Sequence, residues 1–316
     1  MRPSKPSCST SRSDNNAVNI LRSLKNQSLP IAMITGAVAY PWISCLSFLT
    51  PCLIFIMLLL TFCKLSPRTI AISPAHIWML LIQLAGSLLV YAALHFYNPV
   101  VAQGAFICVL VPTATAAAVI TGILGGNVAF LTTYLLLCNV GVAIAAPLLL
   151  PLIGSQAEAP FIESLLLICR QVGPVLVLPL LTAWLIRYAF PRVNAKLLSI
   201  HNLTFYFWTA ALTIVTGRTV DFLVRQENPD YKTEAALAVV SLVICIGQFL
   251  LGRRIGRRYG DPISCGQGLG QKNTILAIWM AQAYLHPISS IAPAAYILWQ
   301  NIINSYQLWR KNKRTS

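Results

Sequence analysis

Apolar positions along this chain gather into long runs, with the polar positions collected between them. Ten such runs occur, at roughly 29–46, 47–63, 77–96, 101–125, 127–153, 162–188, 201–224, 235–256, 264–285 and 288–309. Each approaches the roughly 20 mostly apolar residues that a helix needs to cross a bilayer. The first two are parted only by a weak break near Pro51, whereas prolines and glycines interrupt the fourth and the ninth. The pattern predicts an all-α polytopic membrane protein of about ten transmembrane helices.

Composition points the same way. Of 316 residues, 57% are hydrophobic and 10% charged, with a mean hydropathy of +0.70. That is more apolar surface than one soluble core would hide. The net charge of +15 would suggest nucleic acid in a soluble protein, but its placement suggests otherwise. With ten spans and an internal amino terminus, the internal segments hold Arg2, Lys5, Arg12, Arg22, Lys25, Lys64, Arg68, Arg187, Arg192, Lys196, Arg253, Arg254, Arg257, Arg258, Arg310, Lys311, Lys313 and Arg314. The external loops hold Arg225 and Lys232, together with the acids Glu158, Glu163, Glu227, Asp230 and Glu234. This is the positive-inside pattern. It predicts cytoplasmic termini, a multi-pass protein of the plasma (inner) membrane, and a lipid bilayer instead of nucleic acid as the basic chain's partner.

Residues 1–28 are polar and basic with no apolar centre, which suits a disordered cytoplasmic tail better than a signal peptide. A second basic tail is expected at 310–316. The nine cysteines form no CxxC pair and mostly fall in apolar runs, so they read as small buried hydrophobes. The four histidines (His76, His95, His201, His286) lie at span ends without ligand spacing, and an interfacial place is expected for them. Asn127 is expected to cap the turn into the fifth span.

Three basic residues stand inside spans. Arg170 and Arg218 lie near the outer surface, where snorkelling, and for Arg218 an ion pair with Asp221 at i+3, would accommodate them. Lys272 is different. It follows Gly266, Gly268 and Gly270 in SCGQGLGQKNTILAIW (264–279), beside Gln267 and Gln271 and with no acid near it in sequence. A cation at membrane depth is costly and usually faces a pathway or cavity.

The fourth span carries its own break, LVPTATAAAVITG (110–122), around Pro112. Broken helices at matching positions of two halves point to a secondary-transporter site. Five spans per half is an odd number, so the second half would enter the membrane in the opposite sense. The expected plan is therefore two inverted five-helix repeats with discontinuous crossing helices 4 and 9.

These segments resemble a known family. PTATAAAVITGILGGNVAF (112–130) is similar to the PGGTASNVxTYLAxGNVAL signature of the bile acid:sodium symporter family. QGLGQKNTILA (267–277) is similar to its E-x-G-x-Q-N-x-x-L-A stretch, and WQNIINS (299–305) to its WHNISGS. The resemblance implies core helices 3–5 and 8–10 (77–153 and 235–309) and a panel of helices 1, 2, 6 and 7 (29–63 and 162–224). It implies an organic anion as substrate, of bile-acid, steroid-sulfate, pantoate or keto-acid type, carried with two sodium ions. The substrate-lining positions it implies here are Thr115, Gln300 and Asn301, and we add Gln271 and Lys272.

The departures from the family pattern fall on the sodium ligands. The Ser-Asn of TASN becomes Ala117 and Ala118, two further hydroxyl positions fall on Leu131 and Leu135, and the shared glutamate becomes Gln267. Of the second site, Gln271 and Gln83 remain, while the asparagine after Gln271 becomes Lys272. A hard cation needs several oxygen ligands, so no cofactor or metal is expected and sodium binding is doubtful. In the family pattern two sodium ions and one glutamate leave a single net positive charge. Lys272 beside a neutral Gln267 leaves the same charge, as a tethered cation that would attract an anion, and a titrating lysine would couple transport to pH.

The functional expectation is a sodium-independent carrier of a small organic anion. The alternatives are an ordinary sodium-coupled symporter, or a non-transporting sensor in which Lys272 pairs with carbonyls of the broken fourth span. An enzyme is not expected, because no HExxH, no GxSxG and only one membrane-depth acid, Asp221, occur. Antiporters of the crossed-helix plan place aspartates at the crossing, and none stands here.

Overall fold

The computed structural model describes residues 31–63, 71–114, 116–154, 161–199, 203–225 and 229–315. The tail expected at 1–28, Thr115, His201, Glu158, Glu227, Lys64 and Arg68 lie outside the described residues. Those described are helical throughout, apart from short connections and one isolated two-residue bridge.

In chain order the helices are α1 (31–38), α2 (Tyr40–Phe62), α3 (Pro74–His95), α4 (Pro99–Leu110), α5 (Ala116–Leu124), α6 (Val128–Ile153) and α7 (Phe161–Ala189). There follow α8 (Pro191–Ser199), α9 (Leu203–Val224), α10 (Tyr231–Tyr259), α11 (Pro262–Gly270), α12 (Thr274–Tyr284) and α13 (Ile291–Thr315). Among the described residues α2, α3, α6 and α10 are each long and apolar enough to cross a membrane. Their outward faces suit lipid: Leu89 on α3, Leu152 on α6 and Val243 on α10 are all exposed.

Several helix starts are fixed by side chains that take up otherwise unpaired amides. Asn98 accepts from the amides of Val100 and Val101, and its own amide donates to the Thr233 hydroxyl at 3.0 Å, tying the start of α4 to that of α10. Asp230 caps α10, accepting from the Thr233 hydroxyl at 2.6 Å and from two backbone amides. Those bonds, the hydroxyl's first, hold its carboxyl below the usual carboxylate range. Asn127 caps α6 by accepting from the Phe130 amide, as its sequence position predicts, and its backbone exchanges two hydrogen bonds with the Ser264 hydroxyl of α11.

Five sequence expectations are corrected. The boundary placed between 46 and 47 falls inside a 3-10 segment, Ser44–Leu49, within the helical run Tyr40–Phe62; Pro51 sits in the first turn of the α-helix Thr50–Phe62, where its missing N–H costs nothing. His76 is buried instead of interfacial. Its Nδ1 accepts from the Ser73 amide, which leaves Nε2–H to donate to the Phe130 carbonyl at 3.0 Å, and its ring stacks on Phe130. Asp221 pairs with Arg225 at 2.7 Å, not with Arg218, and the acid-first i, i+4 order is the favourable one.

The fourth and fifth corrections concern the glycines and cysteines. Gly266, Gly268 and Gly270 are not the break in the ninth span; they lie within α11, and the chain leaves the helix only at Gln271. Their role is close approach: a Cβ on Gly270 would overlap the Phe249 ring of α10, and one on Gly266 would lie 2.7 Å from Cγ of Arg253. The cysteines divide, with Cys63, Cys108, Cys138, Cys245 and Cys265 buried but Cys45 and Cys52 exposed.

Helix packing gathers α2, α7 and α9 on one side. On the other, α3 packs on α4, and α10 packs on α11, α4 and α13. Between the two groups lies an apolar cluster that includes Leu110 of α4, Leu135 of α6, Leu212 of α9 and Leu276 of α12.

Candidate functional site

The two broken spans meet at their breaks. In the first, Pro112 forces the preceding Val111 into an extended conformation (ψ 148°) and supplies no amide to continue α4. In the second, the chain leaves α11 in an extended conformation at Gln271 and turns at Asn273 into α12, the Thr274 amide donating to the Lys272 carbonyl at 2.9 Å. The two extended segments pair antiparallel, Thr113 opposite Lys272. The Ala114 amide donates to the Gln271 carbonyl at 3.0 Å, and the Asn273 amide to the Pro112 carbonyl at 2.8 Å. Apolar surroundings make each unpaired backbone group costly, so the destination of every freed carbonyl is informative.

The carbonyls at the end of α4 are met by side chains from three other elements. The Cys108 carbonyl, orphaned by Pro112, accepts from Nε2 of Gln248 on α10. Nε2 of Gln83 on α3 donates to Leu110 at 2.7 Å and to Val111 at 3.0 Å. Nζ of Lys272 donates to Val109 at 2.9 Å and to Val111 at 3.2 Å. The Tyr134 hydroxyl holds Gln83 in place by donating to its Oε1 at 2.6 Å.

The end of α11 is served differently. Oγ1 of Thr113 donates to the Gly268 carbonyl at 2.6 Å, and the Tyr296 hydroxyl to that of Gly270 at 2.9 Å. One half-helix end is thus closed by a cation and amides, the other by hydroxyls. A helix C-terminus carries partial negative charge, so a cation at the α4 end is stabilising.

Lys272 is 1% exposed. The expectation that its ammonium faces a cavity is therefore not met: both of its bonds run to carbonyls of the broken fourth span. No ion pair reaches it among the described residues. The reason is local, since Val109 and Val111 offer two acceptors within reach of one flexible stem.

No protein-family model matches the chain, and no curated protein matches it.

The other predicted residues divide. Gln300 joins the crossing, its Oε1 accepting from the Lys272 amide at 3.0 Å. Asn301 turns instead to the Ile297 carbonyl of its own helix. Gln271 is buried at the crossing with no partner for its Oε1 among the described residues. Gln267 donates to Asn304 and Gln307 of α13, while its own Oε1 and the Asn304 amide nitrogen stay unpaired among the described residues. Ala117 is fully buried and Ala118 half-buried; as alanines they bring no side-chain oxygen. Unpaired buried polar atoms at the crossing are where a polar ligand or ordered water would be accommodated.

Thr113, Tyr134, Gln248, Tyr296, Asn304 and Gln307 were not singled out from the sequence. Asn304 stands within WQNIINS and Thr113 follows Pro112, so those two had a signal. The rest are ordinary polar residues on long apolar helices, and only tertiary packing brings them to the breaks.

Proposed function

We propose that this chain is a secondary carrier of a small organic anion, of the bile-acid, pantoate or keto-acid kind, and that it works without sodium. The observation that carries the reading is the Lys272 ammonium on the Val109 and Val111 carbonyls. Carriers built on paired broken helices hold coupling cations at half-helix C-terminal ends and anionic groups at half-helix N-terminal ends. Here the ammonium would occupy the cation's place permanently. The N-terminal ends of α5 and α12, which open from the same crossing, would supply the dipoles that attract the anion.

On this reading the halves are inverted five-helix repeats, and the core (77–153 and 235–309) shifts against the panel (29–63 and 162–224). The resemblance to the bile acid:sodium symporters supports that plan, and so does the packing of α7 and α9 on α2. Thr115, Gln271 and Gln300 would line the anion path, with Lys272 acting through its charge from behind it.

A second reading has one observation in its favour. A lysine this deeply committed to carbonyls would also serve as a strut in a sensor that transports nothing. Counterflow of labelled organic anions in proteoliposomes separates the two readings, since only a carrier exchanges.

The coupling claim is tested by melting the purified protein in sodium and in potassium. Sodium present at about 100 times its Kd would add about 2.7 kcal/mol, a plain rise in Tm. We expect the two melting curves to coincide. A sodium-specific rise would return the protein to the sodium-coupled class.

A further inference from the structure

A groove of about 610 Å³ runs between α3 and the end of α10, and none of the side chains that close the crossing lines it. Its floor is apolar, formed by Trp78 and Ile82 of α3 and by Leu251 and Ile255 of α10. Trp78 is 54% exposed, a large cost for an indole facing water and none for one facing lipid. At one end stand Arg254, Arg257 and Arg258, all exposed, beside Tyr259. No carboxylate lines the groove, and none of these three guanidiniums is in an ion pair among the described residues. Arg253, the fourth of the run, is turned away and packs against Gly266 of α11.

The positive-inside rule explains why arginines stand at this helix end, but not why three of them close an apolar groove. An ordinary juxtamembrane charge faces outward into water. This arrangement is amphipathic along its length: an apolar floor that includes Trp78, then Tyr259 and concentrated positive charge.

We propose that the groove docks one anionic phospholipid, its acyl chain along Trp78, Ile82, Leu251 and Ile255 and its phosphate against Arg254, Arg257 and Arg258. Basic pockets between membrane helices favour such headgroups, because guanidiniums meet phosphate oxygens in a bidentate fork. This inference needs the chain to lie in a bilayer, but not to carry an anion across it.

The test is native mass spectrometry of the purified full-length protein, titrated with phosphatidylglycerol or phosphatidylcholine of matched chains. Each arginine near an anionic surface is worth about a fivefold preference, and three together on the order of a hundredfold. We expect phosphatidylglycerol to be preferred by that order. Arg257→Gln and Arg258→Gln should each cut the preference about fivefold. These single changes leave Arg254 in place, so neither depends on folding without the whole cluster. Arg192→Gln, at an exposed position on α8, should leave it unchanged.

Inorganic phosphate added at the same concentration separates lipid from a free anion, and should not displace phosphatidylglycerol. Equal binding of the two lipids would overturn the proposal. So would full displacement by phosphate, or a preference that survives both substitutions.

Discussion

If the chain carries an organic anion as proposed, Lys272→Met should weaken its binding by on the order of two hundredfold. A unit charge about 5 Å away, at the effective dielectric constant of about 20 that suits protein interiors, contributes about 3 kcal/mol. Methionine keeps the length of the stem and removes only that charge and its two hydrogen bonds. The variant also leaves the Val109 carbonyl without its donor, a loss of about 1–3 kcal/mol of stability, whereas Val111 keeps Gln83. Binding is therefore measured per folded molecule, by calorimetry on protein that survives purification. If Lys272 is only a strut, the folded fraction will bind anion as the wild type does, and the charge argument fails. A companion variant sharpens the point. Lys272→Ala would vacate a space walled by the same carbonyls, so sodium should raise its Tm while leaving the wild type unmoved.

Gly252→Ala should lower the Tm sharply, and for a backbone reason. A Cβ at this position would overlap the carbonyl oxygen of Cys265, and one at Gly256 would overlap that of Asp261. Main chain cannot swing aside as a side chain can, so α10 and α11 would have to separate. Overpacking of this kind costs about 1–3 kcal/mol per site. Small residues four apart on a helix are a common means of bringing membrane helices this close. The damage should reach the crossing as well, because α11 carries Gln267 and leads into Gln271 and Lys272. Gly247 supplies the control. It lies in the same helix with nothing within 4 Å of a built Cβ, so Gly247→Ala should leave the Tm unchanged or raise it, by about 0.5–1 kcal/mol of helix propensity. A Gly252→Ala protein that melts with the wild type would show that these helices are not held by backbone contact.

The first break was legible in the sequence because its cause is local. Pro112 has no amide and restricts Val111, and these consequences hold whatever surrounds them. Lys272 was legible as an anomaly for the same reason: a charge in an apolar run stands out without any knowledge of the fold. Its partners were not legible. Carbonyl oxygens are identical in every sequence, and Val109 and Val111 became acceptors only because the helix ended where it did and the second break crossed there. The glycines of α11 were misread because a glycine's effect on chain flexibility is visible locally, whereas the ring of Phe249 that fills its missing side chain is not. His76 shows the same limit. Its place at a span end suggested an interface, but Phe130, more than fifty residues on in the chain, covers it.

The hydrogen bonding of Lys272 also bears on how a carrier of this kind would respond to voltage. An ion that binds and leaves carries its charge through half of a transport cycle, but an ammonium fixed to the Val109 and Val111 carbonyls travels in both halves. With a monovalent anion aboard, the moving site would be electrically neutral; empty, it would bear one positive charge. Membrane potential would then act on the return of the empty site and not on the loaded crossing. A full charge moved through 100 mV corresponds to about 2.3 kcal/mol, roughly fiftyfold in occupancy. In a membrane negative inside, the empty site would rest facing the cytoplasm, so such a protein would be biased to pick its anion up there and release it outside.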